Sequence, residues 1–219
     1  MLPENLRHFT EWGGGGWVRL TDLALDQFLG RKLEGLRVLE IGSRSGGMSC
    51  LFGLLGADVL GVDVNPRWMP LARNQARRWN VHERVSFLCY NGNLDVLPER
   101  AFDVVFTKSV LVGIPGLSPF LEKLARRLTT DGKFVFLENG LGSPFLQLVR
   151  HLRHGTAYHR RARYFSNREI DLVRRYFDIE IIRKTLFPPI YLICGRKSSV
   201  APTRLDEALT SARSARAAY

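Results

Sequence analysis

Short apolar runs alternate with longer segments whose apolar residues recur at helical spacing. Arg37 to Ile41 (RVLEI), Asp58 to Val62, Val85 to Cys89, Phe102 to Thr107 and Lys133 to Leu137 are compact and rich in Val, Ile, Leu and Phe, as buried strands are. Between them, Gly46 to Leu55 reads as an apolar helix closed by Gly56. A second helix starts at Pro66 and runs to about Asn80, with Trp68, Leu71, Ala72, Gln75 and Trp79 marking its faces. A third opens at Ser118-Pro119 as N-cap and first-turn proline, and carries the stripe Phe120, Leu121, Leu124 and Leu128. Asp131-Gly132 predicts a turn into the fifth strand. Ahead of all this, Leu20 to Leu29 has helical spacing and ends at Gly30, a candidate C-cap. The alternation predicts an α/β fold, a parallel sheet covered by helices on both faces.

The last third is patterned differently. Ser143-Pro144 opens a helix to about Leu152, and a basic stretch follows from Arg150 to Arg163. Ser166 and Glu169 stand at capping-box spacing before an apolar-periodic helix through Phe177. Two β-like runs follow, Ile179 to Lys184 and Ile190 to Cys194, separated by the break at Pro188-Pro189. The division expected is an N-terminal helical and Gly-rich lid segment over 1–35, one domain over 36–197 with a basic insertion at 140–166, and a frayed tail over 198–219.

Composition narrows the class. The 219 residues are 45% hydrophobic and 24% charged, ordinary for one globular domain. No run of 18 apolar residues is present, so no transmembrane helix is expected. The opening residues MLPENLRHFTEW do not read as a signal peptide. Cys50, Cys89 and Cys194 are far apart in apolar runs, which predicts buried free thiols and a cytoplasmic setting. No Cys or His spacing suggests a metal. The net charge of +11 is uneven: residues 1–140 hold 17 Lys/Arg against 15 Asp/Glu, residues 141–219 hold 15 against 6. Such asymmetry fits nucleic acid, an anionic membrane surface or an acidic substrate, and equally a solvated Arg-rich face.

The segment carrying candidate chemistry is Val38-Leu39-Glu40-Ile41-Gly42-Ser43-Arg44-Ser45-Gly46-Gly47. Its glycines permit a sharp strand-to-helix turn and close backbone approach to a ligand at a helix N-terminus. Taken alone this loop suits a nicotinamide dinucleotide or merely a tight turn. Asp63 ends the second strand, 21 residues after Gly42, where an acid bonds a ribose diol or simply forms the turn before Asn65-Pro66. Later come Gly92-Asn93-Leu94-Asp95-Val96-Leu97-Pro98 and Phe102-Asp103-Val104-Val105.

Together these motifs resemble the class I S-adenosylmethionine-dependent methyltransferases, particularly their small-molecule branch. That family shows Asp/Glu-x-Gly-x-Gly after its first strand, an acid after the second, Gly-Asp-Ala-x-x-Leu-Pro before Phe-Asp-x-Val, and Arg-x-Leu-x-x-Gly-Gly before the fifth strand. The last reads Arg127-Leu128-Thr129-Thr130-Asp131-Gly132-Lys133 here. The resemblance covers residues 36–139 and implies a Rossmann-like doubly wound sheet of seven strands, mostly parallel with an antiparallel last strand. It implies S-adenosyl-L-methionine as cofactor and S-adenosyl-L-homocysteine as product. It places Glu40 and Gly42 by the methionine part, with Glu40 receiving the ammonium, and makes Ser43, Ser45, Gly46 and Gly47 cofactor-binding residues of the loop. Asp63 takes the ribose hydroxyls, Val64 and Leu94 pack the adenine, Asn93 accepts from its amino group, and Thr107 borders the sulfonium. Arg44 departs from the pattern, standing where the middle glycine is usual.

The reaction implied is methyl transfer to oxygen or nitrogen of a small, anionic or glycan-like metabolite. The (Asp/Asn)-Pro-Pro-aromatic segment of base amino-methylating enzymes is replaced by Thr107-Lys108-Ser109-Val110, which argues against DNA-type amino methylation. Where many small-molecule relatives carry a histidine, this chain has Gly113. His159 and His154, within the basic stretch, are the remaining candidates for a catalytic base. Trp12 and Trp17, flanking Gly13 to Gly16, suit a mobile lid or a surface turn. Alternative readings are an RNA methyltransferase using the basic region, a methyltransferase of a lipid-linked acceptor at a membrane surface, and an inactive cofactor-binding interaction protein.

Overall fold

The computed structural model describes residues 8–9, 14–142, 152 and 163–199. Its strands are β1 (Arg37–Ile41), β2 (Asp58–Asp63), β3 (Val85–Cys89), β4 (Phe102–Lys108), β5 (Leu128–Asn139), β6 (Phe177–Lys184) and β7 (Ile190–Lys197). Its helices are α1 (Gly15–Ala24), α2 (Gly47–Leu54), α3 (Trp68–Arg78), α4 (Leu117–Arg127) and α5 (Asn167–Val173). The strands form one sheet in the order β3-β2-β1-β4-β5-β7-β6. β1 to β5 pair in parallel, while β7 is antiparallel to both β5 and β6. The expected seven-stranded, mostly parallel sheet is therefore present. Strand order reverses between β1 and β4, and in open α/β sheets ligands bind at such a point, beyond the strands' C-terminal ends.

Side-chain alternation divides the core. Val38, Val104, Phe106, Val135 and Leu137 face the layer built from α1, α2 and α3. Leu39, Ile41, Val105, Phe134 and Phe136 face the layer of α4 and α5. This period-2 sorting puts Glu40 on the first face and Thr107 and Glu138 on the second. Burying each large aliphatic or aromatic side chain contributes about 1.5–3 kcal/mol. Both faces of the sheet are covered, which explains why its strands read as near-continuous apolar runs.

Several boundaries differ from the sequence reading. α1 begins inside the glycine run at Gly15, and a π-helical turn, Leu25–Leu29, carries it to Gly30, whose φ is 87°. Gly16 is needed there because a Cβ would lie 3.0 Å from Ile190 Cδ1 and 3.4 Å from Thr185 Cγ2. Trp17 is buried, and Phe9, Leu20 and Leu25 join the same core, so the described part of 1–35 packs on the sheet instead of standing apart as a lid. Trp12 and Gly13 lie outside the described residues. α4 starts two residues before Pro119, capped by Gly116 at φ 69°, while the Ser118 hydroxyl bonds the Tyr176 hydroxyl at 2.8 Å. Pro66 precedes α3 in a turn. β5 starts at Leu128, and Thr129 to Gly132 fall within the register shift between the pairs Phe102–Leu128 and Val104–Lys133. The capping box is present: Ser166 caps α5 and the Glu169 carboxylate accepts from the Ser166 N–H at 3.0 Å. α5 ends at Val173, and Phe177 opens β6. Cys50 and Cys194 are buried, their thiols pushed up to about 12 chiefly by burial, but Cys89 is exposed at the end of the edge strand β3.

Candidate functional site

The glycine loop is held by backbone and carboxylate together. Gly42 turns the chain at φ 76° as it leaves β1, and the Gly42 and Ser43 N–H groups donate to the Val62 carbonyl at 2.7 and 3.0 Å. Gly46, at φ 84°, caps α2. Neither glycine has room for a side chain. A Cβ on Gly42 would lie 2.3 Å from Val110 Cγ2, and one on Gly46 2.6 Å from Phe87 Cζ. Arg44 takes the left-handed conformation usually left to glycine, at φ 47°, and its guanidinium lies 4.7 Å from the centre of the Trp68 ring. That stacking accommodates an arginine at this position, where it also lines a hollow under the loop.

Asp63 is nearly buried at the end of β2. Its Oδ2 accepts from the Arg44 N–H at 3.0 Å and its Oδ1 from the Asn65 N–H at 2.8 Å. A carboxylate offers about four acceptor positions, so these two bonds leave capacity for a diol. Tyr90, just past β3, is pushed up to about 12 by burial and by the charge of Asp63, and stays a neutral phenol.

A small hollow, with room for about one water molecule at ≈10 Å³, opens under the loop. Phe9, Glu40, Gly42, Ser43, Met48 and Lys108 are among its lining residues. Glu40 is buried and accepts from the Ser49 hydroxyl of α2. The Ser43 hydroxyl is buried with no hydrogen-bond partner among the described residues. An orphaned buried hydroxyl costs free energy unless a ligand satisfies it. Together with an acid at Glu40 and glycines kept bare by their neighbours, it matches the donor and acceptor chemistry of the amino-acid end of S-adenosylmethionine, whose bulk exceeds the ≈10 Å³ hollow.

Strand parity corrects one predicted role, and local bonding bears on another. The Thr107 side chain is fully buried on the opposite face of the sheet and donates to Glu138 Oε1 at 2.9 Å. The next residue, Lys108, reaches the hollow instead and lies 5.5 Å from the Trp17 ring centre. Asn93 Oδ1 is occupied as the cap of the turn Leu94–Val96, accepting from the Asp95 N–H at 3.0 Å, with Lys123 Nζ at 3.4 Å. An acceptor role toward an adenine amino group would compete with that cap. Leu94 is buried in the core and supports the turn from behind, whereas Val64 is 60% exposed, and a Cβ on Gly92 would lie 3.9 Å from its Cγ1. Gly47 opens α2, and Ser45 precedes it in the loop. His154 and His159 lie outside the described residues.

Sequence reasoning missed Phe9, Met48, Lys108 and Glu138. Glu138 is fully buried, and burial pushes its carboxyl up to about 7 against four opposing donor bonds. Its oxygens accept from Thr107 Oγ1 and from the N–H groups of Val110, Leu111 and Val112 at 3.1 to 3.4 Å. It thereby fixes the loop that presses Val110 onto Gly42. An acid ending an otherwise apolar strand was the available signal. Asp95 ties the Gly92–Pro98 segment to α4 through Lys123 at 2.5 Å and Arg127 at 3.0 Å. The Lys123 bond is the main reason its carboxyl sits below the usual range.

The methyltransferase domain family matches residues 39–136. A demethylmenaquinone methyltransferase of Tropheryma whipplei (strain Twist) is 30% identical over 104 residues, 48% of this chain and 42% of that protein. A ubiquinone biosynthesis O-methyltransferase of Paramagnetospirillum magneticum is 35% identical over 112 residues, 50% of this chain and 43% of its own length. The chain thus spans less than half the length of these curated relatives. An S-adenosylmethionine-dependent methyltransferase from Mesorhizobium loti has the same fold, with a TM-score of 0.66 at 16% identity, covering 84% of this chain and 99% of that one. Residues 39–136 thus match the methyltransferase domain family, and the sheet has the fold of S-adenosylmethionine-dependent methyltransferase structures.

Proposed function

We propose that the protein transfers a methyl group from S-adenosylmethionine to an oxygen or nitrogen of a small, anionic or glycan-like acceptor. The observation that carries the reading is the Asp63 carboxylate turned onto the glycine loop, beside the unpartnered Ser43 hydroxyl. Glu40, Ser43 and the first N–H groups of α2 would hold the amino-acid end. Asp63 would hold the ribose, and Val64 would cover the base. When bound, the cofactor supplies an electrophilic methyl on a sulfonium, so the protein's main task is in-line alignment of the acceptor. Lys108 brings a cation to the hollow, where it would face the cofactor's carboxylate, and the basic, acid-free stretch from Arg150 to Arg163 supports an anionic acceptor. His154 and His159 remain the proposed bases where the acceptor is a hydroxyl or a protonated amine.

The names of the two relatives above concern demethylmenaquinone and ubiquinone biosynthesis, which supports a small-molecule acceptor over nucleic acid. The test is transfer of a labelled methyl group to a panel of hydroquinones, phenolic acids and sugar acids, with a structured RNA alongside. Label in one of the small acceptors supports the proposal; label confined to RNA replaces it.

A further inference from the structure

We infer that the tip of the β6–β7 hairpin is a membrane-docking wedge, which seats the site end of the molecule on an anionic phospholipid bilayer. The inference stands on surface features and does not depend on methyl transfer. Leu186 is 98% exposed and Phe187 72% exposed, adjacent at the tip between the two strands. Isolated exposed apolar residues are common, but two large ones in sequence at a protruding tip expose a contiguous apolar edge.

The tip has a defined place in the fold. β7 begins at Ile190 opposite Asn139, the last residue of β5, and the Gly140 N–H donates to the Pro189 carbonyl at 2.8 Å. The hairpin tip therefore lies at the C-terminal ends of the parallel strands, where Gly42, Asp63 and Lys108 also lie. Leu141, 53% exposed, leaves β5 at that same end.

Charge selects the occupant. Arg183 and Lys184 form the exposed shoulder of the tip, and the run from Arg183 to Pro189 contains no acid. Lys184 Nζ rests 5.0 Å from the Tyr191 ring centre, which leaves its charge at the surface. Arg163, also exposed, is tied to the same end of the sheet. The Leu141 N–H donates to Phe165 at 2.8 Å and the Arg163 N–H to Val112 at 2.6 Å. An apolar point with Arg183 and Lys184 at its shoulder matches an anionic bilayer, where insertion and electrostatic attraction add. A second copy of this chain would bring the same positive charge against it.

The test is co-sedimentation of the full chain with vesicles of equal parts phosphatidylglycerol and phosphatidylcholine, and with pure phosphatidylcholine vesicles. The wild type should sediment with the mixed vesicles and bind pure phosphatidylcholine at least about tenfold more weakly. The double variant Leu186→Ser/Phe187→Ser, altered only at exposed positions, should keep its melting temperature and lose at least about tenfold in affinity for mixed vesicles. No sedimentation of the wild type, undiminished binding of the double variant, or concentration-dependent dimerisation that the double variant abolishes would each overturn the inference. Vesicle binding without S-adenosylhomocysteine binding would uphold it while removing the functional proposal above.

Discussion

The Asp63 carboxylate accepts the Arg44 backbone N–H at 3.0 Å, joining the end of the second strand to the loop after the first. The bond uses backbone, so it is indifferent to the side chain at position 44. The arginine there departs from the family pattern without loosening the loop, because its guanidinium is stacked on Trp68. One carboxylate thus shapes the loop and faces the position proposed for the cofactor's sugar.

Ser43→Ala separates stability from binding. The hydroxyl is buried and unpartnered among the described residues, so its loss should leave the melting temperature of the free protein unchanged or raise it. If cofactor satisfies that hydroxyl, affinity for S-adenosylhomocysteine should fall by about 0.5–1.5 kcal/mol. Differential scanning fluorimetry with and without the ligand reads both. A variant that melts lower when free yet binds normally would contradict this assignment.

Gly42→Val should destabilise. A Cβ would meet Val110 Cγ2 at 2.3 Å, and φ 76° is hostile to a β-branched residue. Overpacking alone costs about 1–3 kcal/mol. Urea melts should show the loss, with Gly42→Ala between valine and the wild type. Gly42→Val paired with Val110→Ala should recover part of it, since the steric term is shared between those two residues.

Glu138 predicts a pH signature. Its carboxyl is held near 7 in the fold, against an ordinary value of 4.5, because burial outweighs its donor bonds. Between those values the folded chain keeps a proton that the unfolded chain releases. This contribution to stability is complete below about 4.5, declines as pH rises and is gone above about 7. Glu138→Gln cannot ionise, so its deficit relative to wild type should be larger at pH 5 than at pH 8, by on the order of 1–3 kcal/mol. Chemical denaturation at the two pH values measures this. An equal deficit at both would show that Glu138 does not titrate in that window.

The parallel part of the sheet was legible because β1, β2 and β4 are mostly buried apolar runs, bounded by glycine, proline or charge, while the edge strand β3 alternates buried and exposed positions. β1 and β3 were read to the residue. The start of α1 was not legible, since consecutive glycines have poor helix propensity. The approach of Thr185 and Ile190 accounts for Gly16, while a Cβ on Gly15 would meet open space. In the site, Gly42, Asp63 and Glu40 carried their signal in local spacing. Lys108 and Glu138 did not, because their roles depend on which face of a strand each side chain leaves. A one-residue change of parity exchanged Thr107 for Lys108 at the hollow. The local duty of Asn93 is seen in the structure: an asparagine before a tight turn bonds its own backbone.

Calorimetric titration of S-adenosylhomocysteine into the full chain, and into Asp63→Ala, tests the central claim most directly. The account predicts one saturable site in the wild type and at least about tenfold weaker binding in the variant, consistent with losing a charged acceptor worth about 1.5–3 kcal/mol. A wild type that releases no heat at millimolar ligand, or a variant that binds as tightly as the parent, would contradict it.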